Sequence, residues 1–118
     1  MTKGQMEAEI SEGIIKFEKE YMGRGPAEAK AYIIEDLILV RLKGILTPAE
    51  EQLVRTSEGT HLVKRTRVEL LEGARPLLEK IIFEITHCQV KSMHTDISTK
   101  NDERIVIFTL DQNLEDKF

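Results

Sequence analysis

Apolar positions recur with a helical period near the start of the chain. Between residues 5 and 22 they lie three or four apart, with charged side chains between them: Met6, Ile10, Ile14, Phe17 and Tyr21. This spacing is typical of an amphipathic helix. We expect the helix to end at Gly23-Arg24-Gly25-Pro26, because glycine readily adopts the left-handed cap conformation and proline cannot continue a helix.

Two β-favouring runs follow this corner. Residues 29–34 and 37–42 flank the acidic pair Glu35-Asp36, which predicts a β-hairpin. The pair lacks the glycine that two-residue turns favour, so a turn of more than two residues is the alternative prediction. The second run is apolar at every position as far as Val40. We therefore expect both of its faces to be covered, one by helices and the other by a further layer or a second subunit.

The middle of the chain returns to a helical period. Thr47-Pro48-Ala49-Glu50 is a helix start, with threonine as N-cap, proline at the first position and a glutamate that completes a capping box. This helix is expected to be short, because the apolar spacing thins through residues 56–60. A long second helix is predicted from about residue 60. Pro76 removes a backbone donor inside it, so we expect a kink between Gly73 and Pro76.

Basic side chains cluster on the predicted long helix at Lys64, Arg65 and Arg67. Glutamates stand three and four positions from basic residues along the helix, a spacing at which surface ion pairs form. We therefore interpret the cluster as a solvated face. Contact with anionic lipid or an acidic partner is the alternative interpretation.

The chain closes with a second predicted hairpin. Strands are expected over residues 89–95 and 104–110, joined by a polar loop over 96–103, and residues 112–118 are expected to fray. The predicted order is α-ββ-αα-ββ, which places the protein in the α+β class. We expect one domain over residues 1–118 with a core at about 7–111. Its two hairpins form a four-stranded antiparallel sheet covered by helices on one face.

Composition narrows the class of protein. A chain of 118 residues, 41% hydrophobic and 32% charged, is expected to fold around one core. The single cysteine, Cys88, allows no internal disulfide, and no apolar run has the length of a signal peptide or membrane span. We therefore expect a cytoplasmic protein with no membrane-spanning segment. The net charge of −4 argues against nucleic acid as a partner.

Two groups of residues are candidates for chemistry. The corner Gly23-Arg24-Gly25-Pro26 lacks the spacing of a phosphate-binding loop, so we interpret it as a rigid turn, with an anion or partner contact at Arg24 as the alternative. His94 and Asp96 lie two apart at the end of a predicted strand, with Cys88 expected on the same face. Paired ligands at zinc spacing are missing, so we predict no metal and no cofactor. Asp96 is expected to begin a turn.

Nucleophilic catalysis also lacks a specific sequence signal. His87 cannot face the adjacent Cys88 within a strand, because neighbouring side chains point to opposite faces. The flanking residues match no catalytic motif. The chain is therefore not predicted to be an enzyme, and an enzyme that uses His94 and Asp96 is the less favoured interpretation.

Three segments read together resemble the bacterial MpsC family, formerly a domain of unknown function. They are the Gly-x-Gly-Pro turn at 23–26, the Ala-Lys-x-Tyr-Ile strand at 29–33 and the Leu-Thr-Pro-x-Glu helix start at 46–50. The resemblance covers about residues 7–111, with Pro76 and the Thr86-His87-Cys88 corner as departures. It implies a small cytoplasmic protein associated with a sodium-translocating, membrane-potential-generating system, with no established catalytic residues.

We therefore expect a non-catalytic accessory or regulatory protein of such a system. It is expected to act through protein contacts as a homodimer, with membrane transporter subunits as candidate partners. A sensor for a small anion or metabolite is the alternative. The residues expected to contact a ligand or partner are Gly23, Arg24, Gly25, Pro26, Lys30, His94 and Asp96.

Overall fold

A computed structural model describes residues 1–118 and contains four helices and four strands. The elements in chain order are α1 (Lys3–Met22), β1 (Glu28–Ile34), β2 (Leu37–Lys43), α2 (Pro48–Leu53), α3 (Ser57–Gly73), α4 (Arg75–Thr86), β3 (Val90–Ser98) and β4 (Glu103–Leu110), followed by a short 3₁₀ helix (Leu114–Lys117). The strands form one antiparallel sheet in the order β1-β2-β4-β3. The predicted α+β class and four-stranded antiparallel sheet are confirmed.

The core lies between the inner face of the sheet and the helices. Alternate side chains of the two central strands are buried: Ile38, Val40 and Leu42 on β2, with Val106, Phe108 and Leu110 on β4. They belong to one cluster with the apolar stripe of α1, which includes Ile10, Ile14 and Phe17. Because side chains alternate along a strand, the same strands present a second set to the opposite face.

The two-residue Glu35-Asp36 turn is tighter than its composition favours. Ile34 pairs directly with Leu37 across the hairpin, so no further residue enters the turn. Glu35 reaches this geometry with φ at +55°, a conformation in which glycine is preferred over residues with a Cβ.

The predicted long helix is two helices rather than one kinked helix. The first, α3, begins at Ser57 and ends at Gly73, and α4 begins at Arg75. Pro76 lies in the first turn of α4, where its missing N–H leaves no hydrogen bond unmade. A helix running through Pro76 would also meet a clash with the carbonyl four residues earlier, so a new start is favoured over a kink.

The second hairpin has longer strands than predicted. Asp96 pairs with Ile105 inside β3, and the loop is only residues 99–102, so the expectation that Asp96 begins the turn is wrong. The expectation for Cys88 is also wrong, because it is buried ahead of the strand beside Thr86 and does not share a face with His94. The end of β3 could not be read from the sequence, because its outward side chains are polar and so resemble the residues of the loop that follows.

Residues 112–118 do not fray as predicted. The Leu114 side chain is fully buried in the core, and its backbone N–H donates to the Glu35 carbonyl oxygen at 2.9 Å. Asn113 caps the 3₁₀ helix by accepting from the Glu115 N–H. One buried apolar residue among seven is enough to anchor the segment, because burying a leucine contributes roughly 1.5–3 kcal/mol.

Candidate functional site

The face of the sheet turned away from the helices is partly exposed. None of its side chains belongs to the buried core, and Tyr32 and Ile34 on β1 are 37% and 46% exposed. We call this surface the outer face. Its apolar members are Tyr32, Ile34, Leu37, Leu39, Ile105 and Ile107.

Strand register arranges the outer face into four rows that run across the sheet. The apolar row is Tyr32, Leu39, Ile107 and His94. The row beside it, the hydroxyl row, is Ile34, Leu37, Thr109 and Ser92. On the other side the charged row is Lys30, Arg41, Ile105 and Asp96, and the end row beyond it is Glu28, Lys43, Glu103 and Ser98.

Charge on this face is divided between the two halves of the sheet. In the charged and end rows, Lys30, Arg41 and Lys43 lie on β1 and β2, whereas Asp96 and Glu103 lie on β3 and β4. Arg41 bridges the halves through an ion pair with Glu103, with Nη2 and Oε2 2.7 Å apart. Glu28 on β1 is the exception, so three basic and one acidic side chain on β1 and β2 stand against two acidic ones on β3 and β4, beside a shared apolar strip.

Two shallow hollows lie on the outer face. One, of about 160 Å³, is lined by Glu28, Lys30, Tyr32, Arg41 and Lys43. The other, of about 180 Å³, is lined by His94, Thr95, Asp96, Ile105 and Ile107. In the first, the Lys30 ammonium lies 5.2 Å from the centre of the Tyr32 ring, within the range of a cation–π contact.

Three of the predicted contact residues share this outer face. Lys30 and Asp96 lie in one row on opposite edge strands, and His94 lies in the neighbouring row. Three strand spacings separate Lys30 from Asp96, a span of about 14 Å. Asp96 also reaches an ion pair with Lys64 of α3, with Oδ1 and Nζ 3.5 Å apart.

The Gly23-Arg24-Gly25-Pro26 corner lies outside the sheet. Gly23 caps α1 with φ at +79°, and Arg24 Nη1 donates to the Leu46 carbonyl oxygen at 3.0 Å. Arg24 thus joins the end of α1 to the segment that precedes α2. Its guanidinium already has a backbone partner, so the structure gives the corner an internal bonding role.

A buried ionic cluster is the feature that sequence reasoning missed. We call it the ionic network; it consists of Glu18, Glu50, Arg67 and Arg104, from α1, α2, α3 and β4. Arg67 binds Glu50 through two nitrogens, at 2.7 and 2.6 Å, and donates to the Ile45 carbonyl oxygen at 2.8 Å. Arg104 Nη1 donates to Glu18 at 3.1 Å. Two carboxylates and two guanidinium groups balance in charge.

The electrostatics of the network follow from its burial. Burial alone would raise the pKa of Glu50, but the hydrogen bonds and charge of Arg67, with the Thr47 hydrogen bonds, outweigh it and hold that pKa below its ordinary value. Burial lowers the pKa of Arg104, and the Glu18 carboxylate opposes that shift. Arg67 Nη1 and Arg104 Nε have no hydrogen-bond partner. Every charge of the network therefore has an opposite charge beside it, but two of its buried N–H donors make no hydrogen bond.

The sequence does carry a signal for two network residues. Arg67 lies four residues from both Val63 and Leu71 on the buried stripe of α3. Arg104 occupies an inward position of β4, two residues before Val106. A charged residue in a buried register position is rare unless it is paired, so the interpretation of Arg67 as part of a solvated face is wrong.

Other chemistry-bearing side chains do not converge on one place. No three side chains from histidine, cysteine, aspartate or glutamate are placed to hold a metal ion together. Cys88 Sγ is buried and lies 3.5 Å from Lys117 Nζ. None of the helices has both the length and the apolar character needed to cross a membrane.

Comparisons with known proteins identify the class. The family model for the Na⁺-translocating membrane potential-generating system protein MpsC matches residues 2–112, so this chain belongs to the MpsC family. It is 46% identical over 114 residues to the uncharacterized protein YbcI of Bacillus subtilis (strain 168), covering 97% of this chain and 92% of that protein. It is 23% identical over 110 residues to the uncharacterized protein YrhF of the same strain, covering 92% and 90%. No solved structure matches the chain.

Proposed function

We propose that this chain is an accessory or regulatory protein of a Na⁺-translocating, membrane-potential-generating system and acts through protein contacts, not catalysis. In this proposal it works on the cytoplasmic side as a homodimer, with membrane transporter subunits as further partners. Membership of the MpsC family supports the link to such a system, since the family is named for it.

The outer face carries the proposal of a contact function. Six apolar side chains cluster there on adjacent positions of three strands, and no helix of the chain buries them in the core. Contiguous apolar surface of this kind marks interaction sites, because removing it from water contributes roughly 25 cal/mol per Å². An antiparallel sheet normally presents a polar outer face to water.

The non-catalytic part of the proposal is supported by the placement of reactive groups. His94 lies at a hollow of only about 180 Å³, smaller than the roughly 300–1,000 Å³ of ligand pockets, and Asp96 is already paired with Lys64. Cys88 is fully buried. A general acid or base needs a concave site that holds a substrate against it, as catalytic sites usually provide.

A deletion and complementation experiment tests the link to membrane potential. We expect loss of the gene to lower the sodium-dependent membrane potential, measured with a potential-sensitive dye, and the wild-type chain to restore it. Leu39→Glu places a charge in the apolar row and is expected to fail to restore it. Leu62→Glu is the matched control, because Leu62 is 54% exposed on α3 and lies outside the outer face.

Two results would count against this function. An unchanged sodium-dependent potential in the deletion strain contradicts the link to the transport system. Full complementation by Leu39→Glu, at wild-type protein levels, contradicts the outer face as the contact surface.

A small-anion sensor is the second candidate, favoured by the cationic hollow on β1 and β2. Lys30, Arg41 and Lys43 line it together, although Glu28 shares the lining. A ligand at 100 times its dissociation constant raises the free energy of unfolding by about 2.7 kcal/mol. Thermal shift with inorganic phosphate and a nucleotide panel tests this, with Lys43→Ala expected to abolish the shift and Lys80→Ala to keep it.

A further inference from the structure

We propose that the outer face binds the outer face of a second copy of this chain, with the two-fold axis parallel to the strands. This inference rests on the proposed function, because it specifies the geometry of the homodimer. The register of the sheet and the distribution of charge over its four rows carry the argument.

Symmetry leaves two simple ways to stack the same face on itself. A two-fold axis parallel to the strands keeps each row opposite its own copy and reverses the order of strands, so β1 faces β3 of the partner. An axis perpendicular to the strands keeps β1 opposite β1 and reverses the order of rows. Both give isologous contacts, in which one patch meets itself.

The parallel axis places apolar side chains together in the apolar row and opposite charges together in the charged and end rows, whereas Arg41 faces Ile105 and the hydroxyl row sets apolar side chains against hydroxyl groups. In the apolar row Tyr32 faces the other copy's His94, and Leu39 faces its Ile107. In the charged row Lys30 faces Asp96. The division of charge between the two halves of the sheet is therefore self-complementary, and opposite charges on facing patches favour the correct register.

The end row adds a second charge pair under the same axis. Lys43 on β2 faces Glu103 of the other copy on β4, because these two residues pair directly across the centre of the sheet. The Arg41 and Glu103 ion pair within each chain lies beside it. Both residues lie on the two central strands of the sheet, next to the two-fold axis.

The perpendicular axis mismatches the rows at two positions along the strands. If it passes through the apolar row, the charged row meets the hydroxyl row, and Lys30 and Arg41 lie on Ile34 and Leu37. If it passes between the apolar and charged rows, these two rows meet and Arg41 lies on Leu39. A charge desolvated against apolar side chains without a partner is strongly unfavourable.

The β1 edge of the sheet is not open to a second copy. Ser11 Oγ accepts from the Ala31 N–H at 3.0 Å, and Glu7 Oε2 accepts from the Ile33 N–H at 2.8 Å. Side chains of α1 thus occupy the hydrogen-bonding positions that an added strand would need. This removes one of the two edges of the sheet as a site of self-association.

Cross-linking between single-cysteine variants distinguishes the two axes. In a Cys88→Ala background, checked for native circular dichroism, one chain carries Tyr32→Cys with an affinity tag and the other carries His94→Cys without a tag. Facing sheets lie about 10 Å apart, beyond the roughly 4.4–6.8 Å Cα separation of a disulfide, so a short bismaleimide is used. We expect the mixture to give at least fivefold more cross-linked dimer than either variant alone.

A charge exchange provides an independent test by analytical ultracentrifugation. Lys30→Asp and Asp96→Lys are each expected to raise the dimer dissociation constant about tenfold, because each places like charges opposite each other. The double variant restores opposite charges across the interface and is expected to recover wild-type affinity. Arg65→Asp, at a basic position of α3 outside the outer face, serves as the control and is expected to leave the constant unchanged.

The outcomes separate this inference from the proposed function. The parallel axis is overturned, and the transport proposal is left intact, if Tyr32→Cys alone or mixed with Lys30→Cys gives more cross-linked dimer than Tyr32→Cys mixed with His94→Cys. A mass of 13.5 kDa by light scattering at tens of micromolar overturns both the homodimer and its geometry. A deletion strain whose sodium-dependent membrane potential is unchanged contradicts only the transport link, if the dimer and its cross-links are as expected.

Discussion

Asp102 is the residue on which the turn between β3 and β4 depends. It adopts a φ of +51°, and its Oδ1 accepts from the backbone N–H groups of Ile45 and Leu46, both at 2.8 Å. Two charge-assisted hydrogen bonds thus tie the second hairpin to the segment before α2. These bonds explain why an aspartate is present where the backbone conformation favours glycine.

Replacement of Asp102 by glycine is expected to destabilise the fold although it relieves backbone strain. Losing both hydrogen bonds removes about 2–3 kcal/mol, more than the roughly 1 kcal/mol that the left-handed conformation costs. His87→Gly is the matched control, because His87 has φ at +59° at the end of α4 and accepts no such bonds; it is expected to gain about 0.5 kcal/mol. Urea unfolding followed by circular dichroism measures both, and equal effects would contradict the role of the carboxylate.

Glu50 gives the fold a dependence on pH. Its pKa is lower in the folded chain than the ordinary 4.5, because Arg67 and Thr47 outweigh the effect of burial. A lowered pKa contributes stability that is fully present above the unfolded value and is lost as pH falls through the folded value. This contribution should therefore disappear on acidification below about pH 4.5.

Glu50→Gln isolates that contribution. At pH 7 the variant is expected to be less stable than wild type by about 1.5–3 kcal/mol, since a charged hydrogen-bonded pair is lost. The difference in the free energy of unfolding should shrink steadily between pH 4.5 and the acid end of the transition. Glu51→Gln, exposed on the same helix, is the control. A difference that stays constant with pH would contradict the assignment.

Local chemistry could be predicted for Glu50, but its tertiary role could not. Glutamate three residues after a threonine followed by proline indicates a capping box, and both of its hydrogen bonds are present. The pairing with Arg67 joins residues 17 positions apart, and no local pattern specifies which buried charges will meet. His94 and Asp96 were grouped correctly on one face by alternation, whereas the position of Cys88 depended on where the strand began.

The junction between α2 and α3 is fixed by a glycine. Gly59 lies in the first turn of α3, where Thr56 Oγ1 accepts from its N–H at 3.0 Å. A Cβ at this position would overlap the Leu53 carbonyl oxygen and lie 2.6 Å from the carbonyl carbon. The backbone of α2 therefore approaches α3 more closely than any side chain at this position permits.

Gly59→Ala and Gly73→Ala are expected to have opposite effects within one helix. Gly59→Ala must displace backbone atoms, so we expect a loss of at least about 2 kcal/mol. A Cβ at Gly73 meets nothing within 4 Å, so Gly73→Ala is expected to gain up to about 1 kcal/mol from helix propensity. Thermal unfolding by circular dichroism compares them. Equal and small effects would show that α2 moves freely relative to α3.

Helix starts were easier to predict than helix continuity. The start of α2 was marked by three residues in sequence and is confirmed, because capping depends on local contacts. The division between α3 and α4 was predicted as a kink, since proline is compatible with either a bend or a new first turn. The buried positions of Ala74 and Leu78 on either side of the break decide between them through tertiary packing.

The ionic network connects α2, which contributes no side chain to the core, to α1, α3 and the sheet. No side chain of α2 is buried, and the chain extends 46 Å along its longest axis against 23 and 22 Å across. Glu18 contacts Arg104 at 3.1 Å and lies 4.0 Å from Arg67. One carboxylate on α1 thus faces two guanidinium groups that belong to the sheet and to α3.

Neutralising Glu18 should therefore destabilise the whole fold more than any surface charge change. Glu18→Gln leaves Arg104 buried with no opposite charge in contact, and breaking one side of a buried pair costs about 3–5 kcal/mol. Glu20→Gln, exposed on the same helix, is expected to change stability by less than about 0.5 kcal/mol. Replacing both partners, as Glu18→Met with Arg104→Met, should recover much of the loss, because an apolar pair of similar volume needs no counter-charge. Urea unfolding measures all three, and a double variant no more stable than Glu18→Gln would contradict the pairing.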